Sequence, residues 1–389
     1  MDSRKLTIIL LAVATYVVTA GVAYGVFSKT GGSGKTGSSV PATSTSTGVK
    51  FDQGLPKTEA CPLNGVYYSA QQKKWWEAHR PLGVMIENHV ESRPQSGLSL
   101  ADVVYEAVAE GGITRFLTVF YCQDANPIGP VRSARTYFID FISEYGDSPL
   151  YVHVGGANTP GPADALGQLE DYGWAAHNDM NQFSIGFPTF WRDCCRQTGK
   201  EVATEHTMYS TTTKLWDFAK KDRELTNVDE KGTVWNTKFV SYSFKDDAAL
   251  ADRPASQAIH VEFWKGYGEF FVDWNYNKTS NDYSRNNGGV SHIDKDTGKQ
   301  LTAKNIVMLF MTERSANDGY EGNLHLLYGT KGTGKAFIFM DGKQVIGKWK
   351  KDSRTARTLL FDAAGNPIKF DRGQTWFQIL PTEAIVTVK

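Results

Sequence analysis

The sequence predicts an α/β (or α+β) domain with a central mixed sheet, followed by a smaller all-β domain. Three observations carry this. Between residues 80 and 228 short apolar runs alternate with helical patterns. From about residue 235 helical periodicity disappears, and turn signals such as RNNGG, DKDTG, MDGK and AAGN separate short β-rich runs. Ahead of both lies an uncharged stretch, residues 6–27, long enough for a bilayer core of roughly 30 Å.

That stretch exceeds the apolar run of a cleavable signal, about 7 to 15 residues. It therefore reads as a transmembrane helix and anchor, with Arg4 and Lys5 holding a short stub in the cytoplasm. The protein is then single-pass in the cell membrane, with everything after residue 28 extracytoplasmic. The alternative is secretion after cleavage near Gly21 and Ala23. Residues 28–60 are rich in Gly, Ser and Thr and read as a tether reaching roughly 30 Å. Residues 61–235 form the α/β domain and 236–389 the β-rich domain.

Within the first domain, PLGVMIEN reads as a buried strand. ADVVYEAVAEGGITRFLTVFYC reads as a hairpin turning at Gly111-Gly112. SARTYFIDFISEYG reads as a helix ending at Gly146, and SPLYVHVGG as a strand entering a glycine loop. PADALGQLEDYG is a helix opened by its proline, and STTTKLWDFAKKDRE one opened by Ser or Thr.

The 42 basic and 42 acidic residues cancel, which leaves no electrostatic footprint for nucleic acid. GTKGTGKA, residues 329–336, lacks the Ser or Thr and the helix of a phosphate loop, so no nucleotide is expected. Cys61, Cys122, Cys194 and Cys195 allow three pairings in an oxidising compartment. A bridge between the adjacent pair is strained, so Cys194 and Cys195 pair elsewhere or stay free. Nucleophile motifs such as G-x-S-x-G and H-E-x-x-H are missing.

The hairpin supplies the candidate site. A two-residue turn with strict alternation puts Glu106, Glu110 and Arg115 on one otherwise apolar face. Buried charge needs partners. The three either neutralise one another or leave a glutamate free in a cleft. Glu87, His89 and Arg93 follow the first strand, and His153 sits in the strand before Gly155, where strand ends carry ligands in open sheets. In IGPVRSAR, Arg132 and Arg135 project together from the first turn of the expected helix, flanking Ser133. They are either an anion site or the counter-charge for the glutamates. A metal could be held by Glu87, His89 and His153, but no spacing demands it. No metal and no cofactor are expected.

The runs RPLGVMIENH, RPQSGLSLADVVYEAVAEGGITRF, IGPVRSAR and YVHVGG, with YEGNLHLLYGTKGTGKAFIFMDGKQVIGKWKK and GNPIKFDRGQTWFQILP, resemble the YerB-like family over roughly residues 65–389. This is a two-domain family without an established activity, whose members are described as bacterial lipoproteins. The resemblance implies an exported, membrane-tethered protein and a loose association with peptidoglycan or cell-wall synthesis proteins. The chain lacks the family's lipid-bearing Cys, and residues 6–27 stand in its place. Two functions follow. One is a non-catalytic envelope protein binding a wall polymer or a synthesis protein through Arg115, Arg132, Ser133, Arg135, Glu87, His89, Arg93 and His153. The other is an envelope hydrolase or transferase acting on an anionic or peptide-bearing glycan, with Glu106 or Glu110 as acid or base.

Overall fold

The computed structural model describes residues 48–196 and 201–389. The expected span 6–27 and the tether up to residue 47 lie outside the described residues. Among the described residues no helix is long and apolar enough to cross a membrane. The end of the expected tether is attached to the body rather than free. Val49 N donates to Asp124 Oδ2 at 2.6 Å, and a strand at Lys57–Ala60 pairs with Tyr67–Ser69.

The strands of the two large sheets are, in chain order, β1 (Leu82–Glu87), β2 (Val103–Glu110), β3 (Ile113–Phe120), β4 (Leu150–His153) and β5 (Asp179–Asn181). They continue with β6 (Ala258–Glu262), β7 (Val272–Asn277), β8 (Asp282–Asn287), β9 (Val290–Ser291), β10 (Thr302–Ala303) and β11 (Asn305–Met311). The last are β12 (Gly332–Met340), β13 (Lys343–Lys351), β14 (Leu359–Asp362), β15 (Thr375–Pro381) and β16 (Ile385–Val388). The helices are α1 (Ala70–Trp76), α2 (Thr136–Ile142), α3 (Ala165–Asp171), α4 (Gln182–Ile185) and α5 (Thr212–Asp222).

The main sheet has ten strands in the order β14-β13-β12-β11-β15-β2-β3-β1-β4-β5. It is mixed, as expected, but it does not stop at the expected domain boundary. β15, from the end of the chain, lies between β11 and β2 and runs parallel to both. The reason is visible in the sequence of β15, TWFQILP, which is buried along its whole length. A strand covered on both faces needs neighbours on both edges. The two halves therefore share one core. Tyr105 of β2 stacks between Phe141, 4.9 Å away, and Phe377 of β15, 4.8 Å away. The described residues form one compact body. A second sheet, β9-β8-β7-β6-β16 with β10 beside β8, belongs to the C-terminal half alone.

Two helix starts differ from expectation. Asp164, not the proline, caps α3, its carboxylate accepting from Gly167 N. α2 opens at Thr136 and closes at Ile142, short of Gly146. Thr211 caps α5 as its sequence predicts. Residues 332–340 are a strand, so the glycine-rich segment builds a hairpin and not a phosphate loop. Cys61 and Cys122 are bridged, while Cys194 and Cys195 are exposed and free.

Candidate functional site

The hairpin turn forms where the sequence puts it. Gly111 and Gly112 both have positive φ, and Glu110 opposes Ile113. The strict alternation behind the expected Glu-Arg-Glu face fails one residue later. Val108 opposes Thr114, which leaves Ala109 as a bulge. One extra residue turns everything before it to the other face. Glu106 therefore leaves Arg115 and joins a different network.

Glu106 is fully buried and accepts from Arg285 Nη2 at 2.8 Å, Thr114 Oγ1 at 3.0 Å, Trp376 Nε1 at 3.2 Å and Gln378 Nε2 at 3.3 Å. Arg285 in turn lies over Trp376 and Trp274. All the donors except Thr114 come from the C-terminal half, so Glu106 fastens the halves together. Glu110 keeps Arg115, whose Nη2 is 3.0 Å away, and gains Arg135. Arg115 Nη1 also holds the Ser133 carbonyl at 3.0 Å.

Arg132 and Arg135 do not project together. Residues 131–134 are extended and wedged between β1 and β4. Val131 bridges Ile86 and Ala134 bridges Gly156. Arg135 is itself extended, with φ −139° and ψ 147°, just ahead of α2. Residues three apart in an extended segment point to opposite faces. Arg135 turns inward to Glu110, whereas Arg132 turns outward to Glu87.

β1, β4 and β5 are parallel neighbours, and their carboxyl ends open onto a cleft of about 530 Å³. Its walls include Arg132, Ser133, Gly155, Asn158, Phe183 and Arg192. Asn181 at the end of β5 sets two of these. Its side-chain oxygen accepts from Gly155 N at 3.1 Å and from Phe183 N at 3.2 Å, and so joins the glycine loop to α4. Phe183 is left 73% exposed. A larger hollow of about 620 Å³ surrounds the glycine-rich hairpin, but Lys335 there already rests on Phe310 and Phe337. The smaller cleft holds cationic groups with room to bind.

At the mouth of the cleft Glu87 is buried. Its Oε1 accepts from Arg132 Nε at 3.0 Å and its Oε2 lies 2.7 Å from His206 Nδ1. Burial pushes the Glu87 carboxyl up, but the His206 hydrogen bond and the Arg132 charge outweigh it and hold it below the usual range. The same hydrogen bond raises His206 against the opposing effect of burial. Among the described residues the two terminal nitrogens of Arg132 have no partner, and its side chain is 26% exposed. His89 stacks on His206 with ring centres 4.7 Å apart.

The other expected residues are structural. Arg93 holds the Asn88 carbonyl and Glu269 O and lies over Phe270. His153 is fully buried between Gly155 O, at 2.6 Å, and Asp179, at 2.5 Å. It cannot join Glu87 and His89 around a metal. His206, Arg192 and Phe183 escaped the sequence reading. Only Phe183 left a signal, since NQFSIGFP sets Phe183 and Phe187 in a Gly- and Pro-punctuated polar loop, and both are exposed, unlike Phe190 just beyond, which joins the core.

The fold and site define a mixed-sheet protein with a cationic, aromatic-edged cleft at the end of its parallel strands. The chain belongs to the YerB-like family. The family described as "Protein of unknown function (DUF3048) N-terminal domain" matches residues 68–226, and its C-terminal domain matches residues 259–377. "Putative lipoprotein YerB" of Bacillus subtilis (strain 168) is 32% identical over 322 residues, which is 82% of this chain and 86% of that protein. The crystal structure of YerB from Bacillus subtilis superposes with a TM-score of 0.66 at 25% identity, covering 85% of this chain and all of that one.

Proposed function

We propose that this is a membrane-anchored, extracytoplasmic envelope protein whose cleft binds an anionic cell-wall glycan without turning it over. One observation carries the reading: a half-free arginine, Arg132, shares a cleft with an exposed aromatic ring, Phe183. A guanidinium with open terminal nitrogens grips phosphate or carboxylate in bidentate fashion. An aromatic face covers the apolar side of a sugar ring. The buried disulfide Cys61–Cys122 fits an oxidising compartment, and the relative's printed name fits the membrane.

Binding is favoured over catalysis by the state of the two carboxylates. Glu106 is enclosed and Glu110 is clamped by two arginines, so neither is free to trade protons with a substrate. An association with cell-wall synthesis proteins remains compatible with this reading, the glycan being their common product.

The test uses the full chain in detergent and purified wall polymer carrying phosphodiester or carboxylate groups. Binding should weaken with salt. Arg132→Ala and Phe183→Ala should each lower affinity about tenfold, equivalent to about 1.4 kcal/mol. Equal affinity of the parent and both variants would sink the proposal, and so would turnover of the polymer.

A further inference from the structure

We infer that His89, Glu91 and His206 form a binding site for one divalent transition-metal ion of the zinc class at the mouth of the cleft. The three side chains offer two imidazole nitrogens and a carboxylate oxygen, all within 4.8 Å of one another. Two nitrogens and one oxygen, with the fourth position open, is a zinc-type donor set.

The support behind these ligands is what separates the cluster from a chance grouping. Glu87 is buried, and its Oε2 sits 2.7 Å from His206 Nδ1. A carboxylate on one imidazole nitrogen fixes the proton there and turns the lone pair of the other nitrogen outward, the arrangement that backs metal-bound histidines. In that tautomer His206 Nε2 faces Glu91 Oε2 at 3.3 Å. A lone pair facing a carboxylate is repulsive unless a proton or a cation lies between them. His89 Nδ1 accepts weakly from Glu91 N at 3.3 Å, so in that tautomer its Nε2 carries the proton. Giving up this weak bond and moving the proton to Nδ1 frees the Nε2 lone pair, which has no other hydrogen bond among the described residues.

The geometry must tighten to hold an ion. Tetrahedral bonds of about 2.0 to 2.1 Å put ligand atoms roughly 3.4 Å apart. The residues that must move are the ones able to. Glu91 has a side chain 53% exposed, on a single turn at Val90–Ser92. His89 caps that turn, and its ring must rotate out of the parallel stack so that its lone pair meets that of His206. His206, anchored by Glu87, stays in place.

The site does not depend on what the cleft binds, because the ion is measured directly. The vicinal Cys194 and Cys195 are exposed and would bind zinc themselves, so the experiment starts from untagged full chain carrying Cys194→Ser and Cys195→Ser. It is titrated with Co²⁺ followed spectroscopically, and the Co²⁺ is then displaced by Zn²⁺. One ion per chain is expected, with the visible absorption of a four-coordinate nitrogen and oxygen site. His89→Ala, Glu91→Gln and His206→Asn should each weaken binding at least tenfold, and Zn²⁺ should raise the melting temperature of the parent alone. His206→Asn can still hydrogen-bond Glu87, Glu91 is exposed, and half-buried His89 caps only a single turn, so lost binding does not stand for lost fold. No binding by the parent at millimolar metal overturns the inference. So does stoichiometric binding that survives His89→Ala and His206→Asn together.

Discussion

Glu144 and Glu87 are both buried carboxylates of the N-terminal half holding cations, yet one network is closed and the other open. Glu144 accepts from Arg357 and Tyr105 on one oxygen, and from Lys351, Thr358 N and Thr358 Oγ1 on the other, all between 2.7 and 2.9 Å. Lys351 and Arg357 are themselves buried, and Arg357 is boxed by Tyr145 and Tyr242. Both carboxylate oxygens are used, and they fasten the segment just after α2 to the end of β13 and the loop that follows it. Glu87 has two partners, and one of them, Arg132, offers its free end to the cleft. The chemistry is the same in both places. What differs is whether the cation's remaining donors face protein or solvent, and that separates a joint from a candidate site.

The largest effect should come from breaking the closed network. Glu144→Gln leaves Lys351 and Arg357 buried without a counter-charge, a loss of about 3 to 5 kcal/mol in denaturant unfolding. Glu87→Gln should cost about 1 to 2 kcal/mol, because Arg132 can turn into solvent. Equal losses for the two variants would erase the contrast.

Acid should sharpen the contrast further. Burial pushes the Glu144 carboxyl up, but Lys351, Arg357 and the surrounding hydrogen bonds hold it below the usual range. A depressed carboxylate contributes stability that is present above its unfolded value, about 4.3, and is lost as pH falls through the lower folded value. Urea unfolding from pH 6 to pH 3 should therefore show stability falling below about pH 4.3. Glu144→Gln should flatten that slope. A slope unchanged in the variant would place the acid sensitivity elsewhere.

The sequence showed the elements more clearly than their partners. β1, the β2-β3 hairpin with its Gly-Gly turn, β4 and α5 all follow from local patterns, because periodicity and turn chemistry act over a few residues. The bulge at Ala109 has no such signature. It moved Glu106 from one face to the other, and with it the expected Glu-Arg-Glu network. Arg132 was misjudged for a related reason. Its segment is fixed as extended by bridges to Ile86 and Gly156, not by its own preference, and that split it from Arg135. His206, Arg285 and Lys351 meet Glu87, Glu106 and Glu144 across separations of 119, 179 and 207 residues. Nothing local announces such pairings. The merging of two expected domains into one sheet has the same origin, since β15 reads as a buried strand but not as a neighbour of β2.

The smallest effect tests how the open site is shaped. Gly155 has φ +58°, and a Cβ there would come 3.0 Å from Phe183 Cε2. Gly155→Ala should cost about 1 to 2 kcal/mol for the left-handed backbone and push the Phe183 ring aside by a few tenths of an ångström. Gly173 supplies the control, with φ +70° and nothing within 4 Å of its added Cβ. Gly173→Ala carries the same backbone cost without the contact. Both variants should lose similar stability. Only Gly155→Ala should weaken binding of wall polymer, by less than the tenfold expected for Phe183→Ala, because the ring is displaced and not removed. If the two alanine variants bind alike, the Phe183 ring does not form a wall of the site, and Arg132 alone would have to account for recognition.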